Sequence, residues 1–342
     1  MCMKLYEKKM SIGLKEISSA TGYSLSTVSR VLSNKISGES KSAKNILAVA
    51  RKIGYSKYRT ASPSTNRILD IALITQHFSE EFYAYLYASF DKVCSDQNYS
   101  LTIHSLRYNR SIKEQLLYLS QNHDGFILFL PTLDTYGYHV IKKNLKDYPI
   151  ISIAPVFEPV FDTFTFDSYQ GGVLAANQFL DSKIKKFGVI HGPAEKWEAE
   201  LRKNGFNDTI KKSGNNINWN FKGDYSFESG ENAFQDIHQK RVKKIGIFAS
   251  NDQMAVGFIH AALENNYKIP GDYFIIGYDN ILFSKIFFPK LTTINTDVDQ
   301  LSFEAIDYLV RIIKGEIKKG GSAKKTLIPV NIVVRETDHK GQ

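Results

Sequence analysis

Cysteine is nearly absent from this 342-residue chain, which holds only Cys2 and Cys94. Two thiols, one of them in a ragged leader, supply neither a disulfide framework nor a zinc cluster, and both read as reduced and incidental. Long apolar runs are missing too. The longest are stretches such as FILFL and PIISIAPVF, well short of the ~18 residues that would read as membrane-spanning. The opening MCMKLYEKK has no apolar signal-peptide core, so a cytoplasmic location with no membrane partner is expected. Catalytic signatures are equally scarce: the chain contains no HExxH, GxSxG, complete Walker loop or GxGxxG. KKGGSAKKT, near residues 318–326, lacks the strand-then-helix setting of a phosphate loop and reads as a basic surface loop. The eight histidines show no metal-ligand spacing, and His77 reads as a polar surface or pocket-mouth residue rather than a base. An enzyme is therefore not expected, and no cofactor or metal is assigned.

What the chain does have is an uneven charge. Residues 1–67 carry 13 Lys or Arg against 3 Asp or Glu, whereas residues 68–342 carry 31 against 32. The whole basic excess lies in the first fifth, as for a module that meets a phosphate backbone, although a solvated tail is basic as well. In LKEISSAT, residues 14–21, Leu14, Ile17 and Thr21 share one helical face. Gly22 breaks that pattern and Ser24 can cap a second helix, LSTVSRVL, whose Val28, Val31 and Leu32 face inward. A polar loop containing Gly38 leads to a third helix from Ser40 to Ile53, where Ile46, Leu47, Ala50 and Ile53 can close a three-helix core before Gly54.

A helix-turn-helix places its second helix in the major groove. Leu25, Ser26 and Arg30 then become the base readers, Arg30 by bidentate contact with guanine, while Ser24, Thr27, Ser29 and Asn34 suit phosphate oxygens. The competing structural reading is an exposed face of a helical hairpin that never touches DNA. GYSLSTVSRVLSNK, followed by a helix ending in IGY, resembles the DNA-binding domain of the lactose/galactose repressor (LacI/GalR) family. Because translation in that family usually begins just before the first helix, Met10 is an alternative start, with residues 1–9 an extension. The expected divisions are a helix-turn-helix domain over 1–55, a hinge over 56–67 and a binding and dimerisation domain over 68–342.

The hinge, SKYRTASPSTNR, is polar and contains Pro63. In the resembled family this segment forms a helix on DNA and inserts a leucine into the minor groove. Here Ser64 stands at that position, Pro63 interrupts the helix and Lys57 replaces the usual proline, so weaker bending or a differently built hinge is expected.

Beyond residue 67 short apolar runs alternate with helical segments: ILDIALIT, SLTIHSL, DGFILFL and PIISIA, then FGVIHG, KIGIFAS and FIIGYD. Two series of βα units predict an α/β body of two parallel sheets with helices on both faces, hence two lobes. The polar residues after the strands are the binding candidates: Asp167, Asn251, Asp252 and Asp279, with Arg202 on a following helix. Singly, each also reads as a helix cap or an ion-pair partner.

RKNGF, FASNDQMAVG, IPGDYFIIGYDN, PKLTTI and VVRETD resemble the family's periplasmic-binding-protein-like body. The resemblance implies sugar contacts at Asp167, Arg202, Asn251 and Asp279, with an aromatic at Tyr225 packing on the sugar and Phe82 and Tyr83 stacking nearby; as plain sequence, Phe82 and Tyr83 read as helix core. Val298 replaces a pocket aromatic of the lactose repressor. The resemblance also implies lobe 1 from 68–167 and 298–326, lobe 2 from 168–297 and 327–342, hinge closure on a small effector, and a homodimer on a pseudo-palindromic operator. A β-galactoside or related saccharide is expected, with phosphosugar and purine as alternatives. Inducer and corepressor responses stay open, as does a cytoplasmic sugar-binding or sensing protein without strong operator binding, whereas the missing signal-peptide core and the attached helix-turn-helix argue against a free-standing solute-binding protein.

Overall fold

The computed structural model describes residues 13–32, 40–52, 68–76, 81–107, 109–182, 184–317 and 321–339. Expectations resting on Cys2, Met10, Asn34, Gly38, Ile53, Gly54, Lys57, Pro63, Ser64 and His77 lie outside these residues. Three helices come first: α1 (Leu14–Thr21), α2 (Leu25–Leu32) and α3 (Lys41–Lys52). α1 stops because Gly22 turns left-handed, φ +74°, and its N–H returns to the Ser18 carbonyl. The Ser24 hydroxyl accepts the Thr27 N–H at 3.2 Å and starts α2, and Ser40 does the same for α3 through Ala43 at 3.1 Å. Ile17, Val28, Val31, Leu32, Ala43, Ile46 and Ala50 form a buried core, with Leu14, Tyr23 and Leu47 packed around it.

The body alternates strand and helix. The first series runs β1 (Asp70–Thr75), α4 (Glu81–Asp96), β2 (Ser100–Ser105), α5 (Ile112–Leu119), β3 (Gly125–Phe129), α6 (Thr135–Asn144), β4 (Ile150–Ser152) and β5 (Thr163–Phe166). The second runs α7 (Ser168–Asp181), β6 (Phe187–His191), α8 (Trp197–Lys212), β7 (Ile217–Lys222), α9 (Phe227–Gln239), β8 (Ile245–Ala249), α10 (Asp252–Glu264), β9 (Tyr273–Asp279), α11 (Leu282–Ile286) and β10 (Thr292–Thr296). α12 (Val298–Ile313), β11 (Lys325–Ile328) and β12 (Val330–Val333) complete it.

Two six-stranded sheets result, ordered β11-β5-β4-β3-β1-β2 and β12-β10-β9-β8-β6-β7. The first is parallel throughout; in the second only β12, against β10, runs antiparallel. The central strands β3 (GFILF) and β8 (IGIFA) are apolar along their whole length because helices cover both faces, and Leu73 of β1 sits in register between Ile103 and Ile127, all packed in one core. Two helix pairs of the second lobe approach at backbone contact. A Cβ on Gly172 or Gly205 would strike the carbonyl of Arg202 or Tyr169 across α7 and α8, and Gly230 and Gly257 play the same part for α9 and α10.

The chain passes between the sheets between β5 and α7, between β10 and α12, and between β11 and β12. The boundary expected at residue 326 therefore falls inside β11, and the last crossing is at Pro329, which has no N–H to continue the ladder with β5. The basic stretch read as a surface loop likewise ends in a strand, with Lys325 opposite Thr163 and Thr326 opposite Phe164.

Candidate ligand cleft and nucleic-acid interface

α2 turns its polar side outward. Ser24, Leu25, Ser26 and Arg30 are exposed, Thr27 and Ser29 are half-buried, and Val28, Val31 and Leu32 face the core. Leu25 leaves 45% of its surface in solvent at the first position of the helix. The Ser24 hydroxyl lies 2.9 Å from those of Ser26 and Thr27, and the first turn contains no acidic residue. Hydroxyls and free amides at a positive helix end form a surface suited to phosphate oxygens.

The second site is a cleft of about 780 Å³, partly open to solvent, between the two lobes at the carboxyl ends of their strands. Its walls differ in chemistry. Lobe 1 contributes Phe82, Tyr83, Leu86, Phe129, Pro131, Ile153 and Leu301; lobe 2 contributes Ser168, Lys196, Glu198, Arg202, Tyr225, Asn251, Gln253 and Asp279. Arg202 organises the polar wall. One guanidinium nitrogen donates to the Ser250 carbonyl at 2.6 Å, another lies 3.4 Å from the Asp279 carboxylate, and the group stacks on Tyr278 at 3.7 Å. Its Nε is buried with no hydrogen-bond partner among the described residues. Burial, the largest single influence, works against the charge, but Asp279, Tyr225, Tyr278 and Glu198 together outweigh it and raise the pKa, keeping the guanidinium protonated.

Tyr225 and Asp279 are held in unusual backbone conformations, φ +75° and +108°, and Asn280 follows at +57°. The Tyr225 ring fits because Gly192, against which it packs, has no side chain; the Lys196 ammonium lies 4.8 Å from the ring centroid. Asn251 reaches the cleft, yet its amide is occupied on both sides: Oδ1 accepts the Met254 N–H at 3.0 Å, and Nδ2 donates to the Tyr225 carbonyl at 2.9 Å. Two further candidates, Asp167 and Asp252, are not among the residues lining the cleft; of these, Asp167 is a helix cap. Its carboxylate accepts the Gln170 N–H at 3.0 Å and caps α7, the alternative role open to it from sequence. Val298 is buried in the core of the first lobe, and Leu301, one turn further along α12, lines the wall instead.

Sequence reading thus reached Phe82, Tyr83, Arg202, Tyr225, Asn251 and Asp279, but missed Lys196, Glu198, Gln253, Phe129 and Leu301. Signals existed for some of them. Glu198 lies one helical turn before Arg202, and Phe129 closes the apolar run of β3, where the strand-end rule already pointed.

Contacts bridge the lobes on either side of the cleft. Glu81, opening α4, accepts the Leu282 N–H of α11 at 3.1 Å, and burial raises its pKa although the Leu282 and Phe283 amides oppose the shift. Phe157 of lobe 1 meets Trp197 of lobe 2 edge-on, with centroids 5.1 Å apart.

A periplasmic binding protein-like domain model matches residues 176–337. The ribose operon repressor of Escherichia coli (strain K12) is 28% identical over 313 residues, covering 88% of this chain and 92% of that protein. The HTH-type transcriptional repressor PurR of Histophilus somni (strain 129Pt) is 27% identical over 330 residues, covering 95% and 98%. Among solved structures, the lac repressor dimer bound to operator and the anti-inducer ONPF superposes with a TM-score of 0.71 at 22% identity, covering 96% of this chain and 99% of that one. The transcriptional regulator CelR–cellobiose complex gives 0.68 at 21%, covering 95% and 99%. Fold and cleft define a two-lobed binding body carrying an N-terminal helix-turn-helix. Over nearly its whole length the chain is similar to repressors of the LacI/GalR family.

Proposed function

We propose that the chain is a cytoplasmic, dimeric, sequence-specific DNA-binding repressor whose operator affinity is set by an uncharged saccharide closing the two lobes. The observation that carries this reading is the convergence of Arg202, Asp279 and Tyr225 on a cleft faced by aromatic residues, in a chain that also carries a helix-turn-helix. The relatives named above as repressors support it and favour regulation over catalysis.

A hydroxyl both donates and accepts, so a sugar can accept from the Arg202 guanidinium while donating to the Asp279 carboxylate. Aromatic Phe82 and Tyr83 suit the apolar face of the ring. Charge argues against a phosphosugar: the lining cations Lys196 and Arg202 are matched by Glu198 and Asp279, which leaves no excess positive charge for a phosphate dianion. A purine is the second reading, favoured by the likeness to PurR. On the DNA side, Leu25, Ser26 and Arg30 act as base readers, and Ser24, Thr27, Ser29 and Asn34 as phosphate contacts, in each half of a dimer on a pseudo-palindromic site.

The test is a genome-wide pull-down of DNA fragments with purified protein, washed with D-ribose, D-galactose, cellobiose, ribose 5-phosphate or hypoxanthine. Enrichment of a pseudo-palindrome released by one neutral sugar supports the proposal. Release by the phosphate ester or by hypoxanthine moves the effector class, and no enriched sequence under any wash removes the DNA-binding reading.

A further inference from the structure

Asn251 and Asp252, consecutive residues at the start of α10, each hold a distant backbone segment of the cleft. Asn251 grips the carbonyl of Tyr225, as described. Asp252 is fully buried and does not line the cleft. One of its carboxylate oxygens accepts the Ile281 N–H at 3.0 Å and the other accepts the Thr293 hydroxyl. The loop it grips contains the two successive positive-φ residues, Asp279 and Asn280. Non-glycine residues keep such conformations only where their surroundings over-determine them. β9 is shaped to admit the carboxylate, since a Cβ on Gly277 would collide with Asp252 Oδ1. A second hold comes from Arg335, which donates to Asn280 Oδ1 at 2.6 Å.

We propose that Asp252 is a positioning residue for the cleft: it fixes the 279–281 turn that aims Asp279 at Arg202 and at the ligand, without touching the ligand itself. With Asn251 holding Tyr225, one helix start sets two cleft residues that are far apart in sequence. The functional consequence rests on the effector reading above, whereas the geometric claim does not.

The test compares the full chain with Asp252→Asn and Thr293→Val by amide hydrogen exchange and by crystal structures. We expect exchange at Asn280, Ile281 and Leu282 to quicken about tenfold or more in Asp252→Asn, with protection across β8 retained. We also expect Asp279 to leave salt-bridge range of Arg202. Thr293→Val, which removes one anchor of the carboxylate, shifts the same amides in the same direction and carries the test alone should Asp252→Asn not fold. Unchanged exchange and an unmoved Asp279 in the folded variants overturn the proposal. A calorimetric titration with D-ribose adds the functional arm: where the wild-type chain binds it, Asp252→Asn weakens binding about tenfold or more at similar melting temperature. A wild-type chain indifferent to D-ribose rejects that sugar as effector, while the exchange arm still decides the role of Asp252.

Discussion

Arg202 holds an ion pair, a carbonyl and an aromatic face at once while lining the cleft. Arg202→Ala is accordingly expected to weaken effector binding about 10–100-fold, the range of a lost charged hydrogen bond, and to lower the melting temperature because Asp279 stays buried without its cation. Operator affinity without effector should persist; a variant released by effector as readily as wild type rejects the role. Cys94 shows the opposite behaviour, a reactive group made inert. Burial, with Asp91 nearby, pushes its thiol up to about 12, so almost no thiolate forms at pH 8. In a Cys2→Ser background, iodoacetamide at pH 8 should therefore modify Cys94 only after denaturation, as mass spectrometry would report. Residue roles were legible where chemistry follows a strand end, as at Asp279 and Asn251. They were not legible where one carboxylate serves either a ligand or a helix cap, since nothing in TFTFD tells which amides will lie above Asp167.

The helices and strands were legible where the local signals agreed. α1 and α2 run over the residues that the periodicity marked, because Gly22 and Ser24 punctuate them. β7 escaped notice: at a sheet edge it buries only Trp219, and INWNFK offers no apolar run. α11, five residues long, is too short to show a period. On α2, the exposed guanidinium of Arg30 leads to the expectation that Arg30→Ala relaxes base preference, at a cost of about 1–3 kcal/mol for the preferred site, while non-specific binding in low salt changes little. Binding to a matched and a scrambled operator measures the difference. Across α7 and α8, Gly205→Ala would drive a methyl onto the Tyr169 carbonyl, and we expect a loss of about 1–3 kcal/mol in urea unfolding. An unchanged midpoint would mean that the helices separate freely.

At the scale of the whole molecule, the lobes meet through Glu81 and Leu282 on one side and through Phe157 and Trp197 on the other. Removing both bridges, with Glu81→Ala and Phe157→Ala, should open the unliganded protein and enlarge its radius of gyration in small-angle scattering; equal radii would assign those contacts no part in closure. Two lobes were predictable from two series of βα units, but the place of the last crossing was not, because β11 and β12 are short and separated by a single residue, Pro329. That late crossing bears on how the protein is made. The three-helix module is fully synthesised by Lys52, whereas lobe 1, begun at β1, lacks its edge strand until residues 325–328 have left the ribosome, and lobe 2 awaits residues 330–333. The two sheets gain their last strands within nine residues of each other, 325–333, so a nascent chain stalled a few dozen codons early would present two unfinished sheets behind a completed three-helix module.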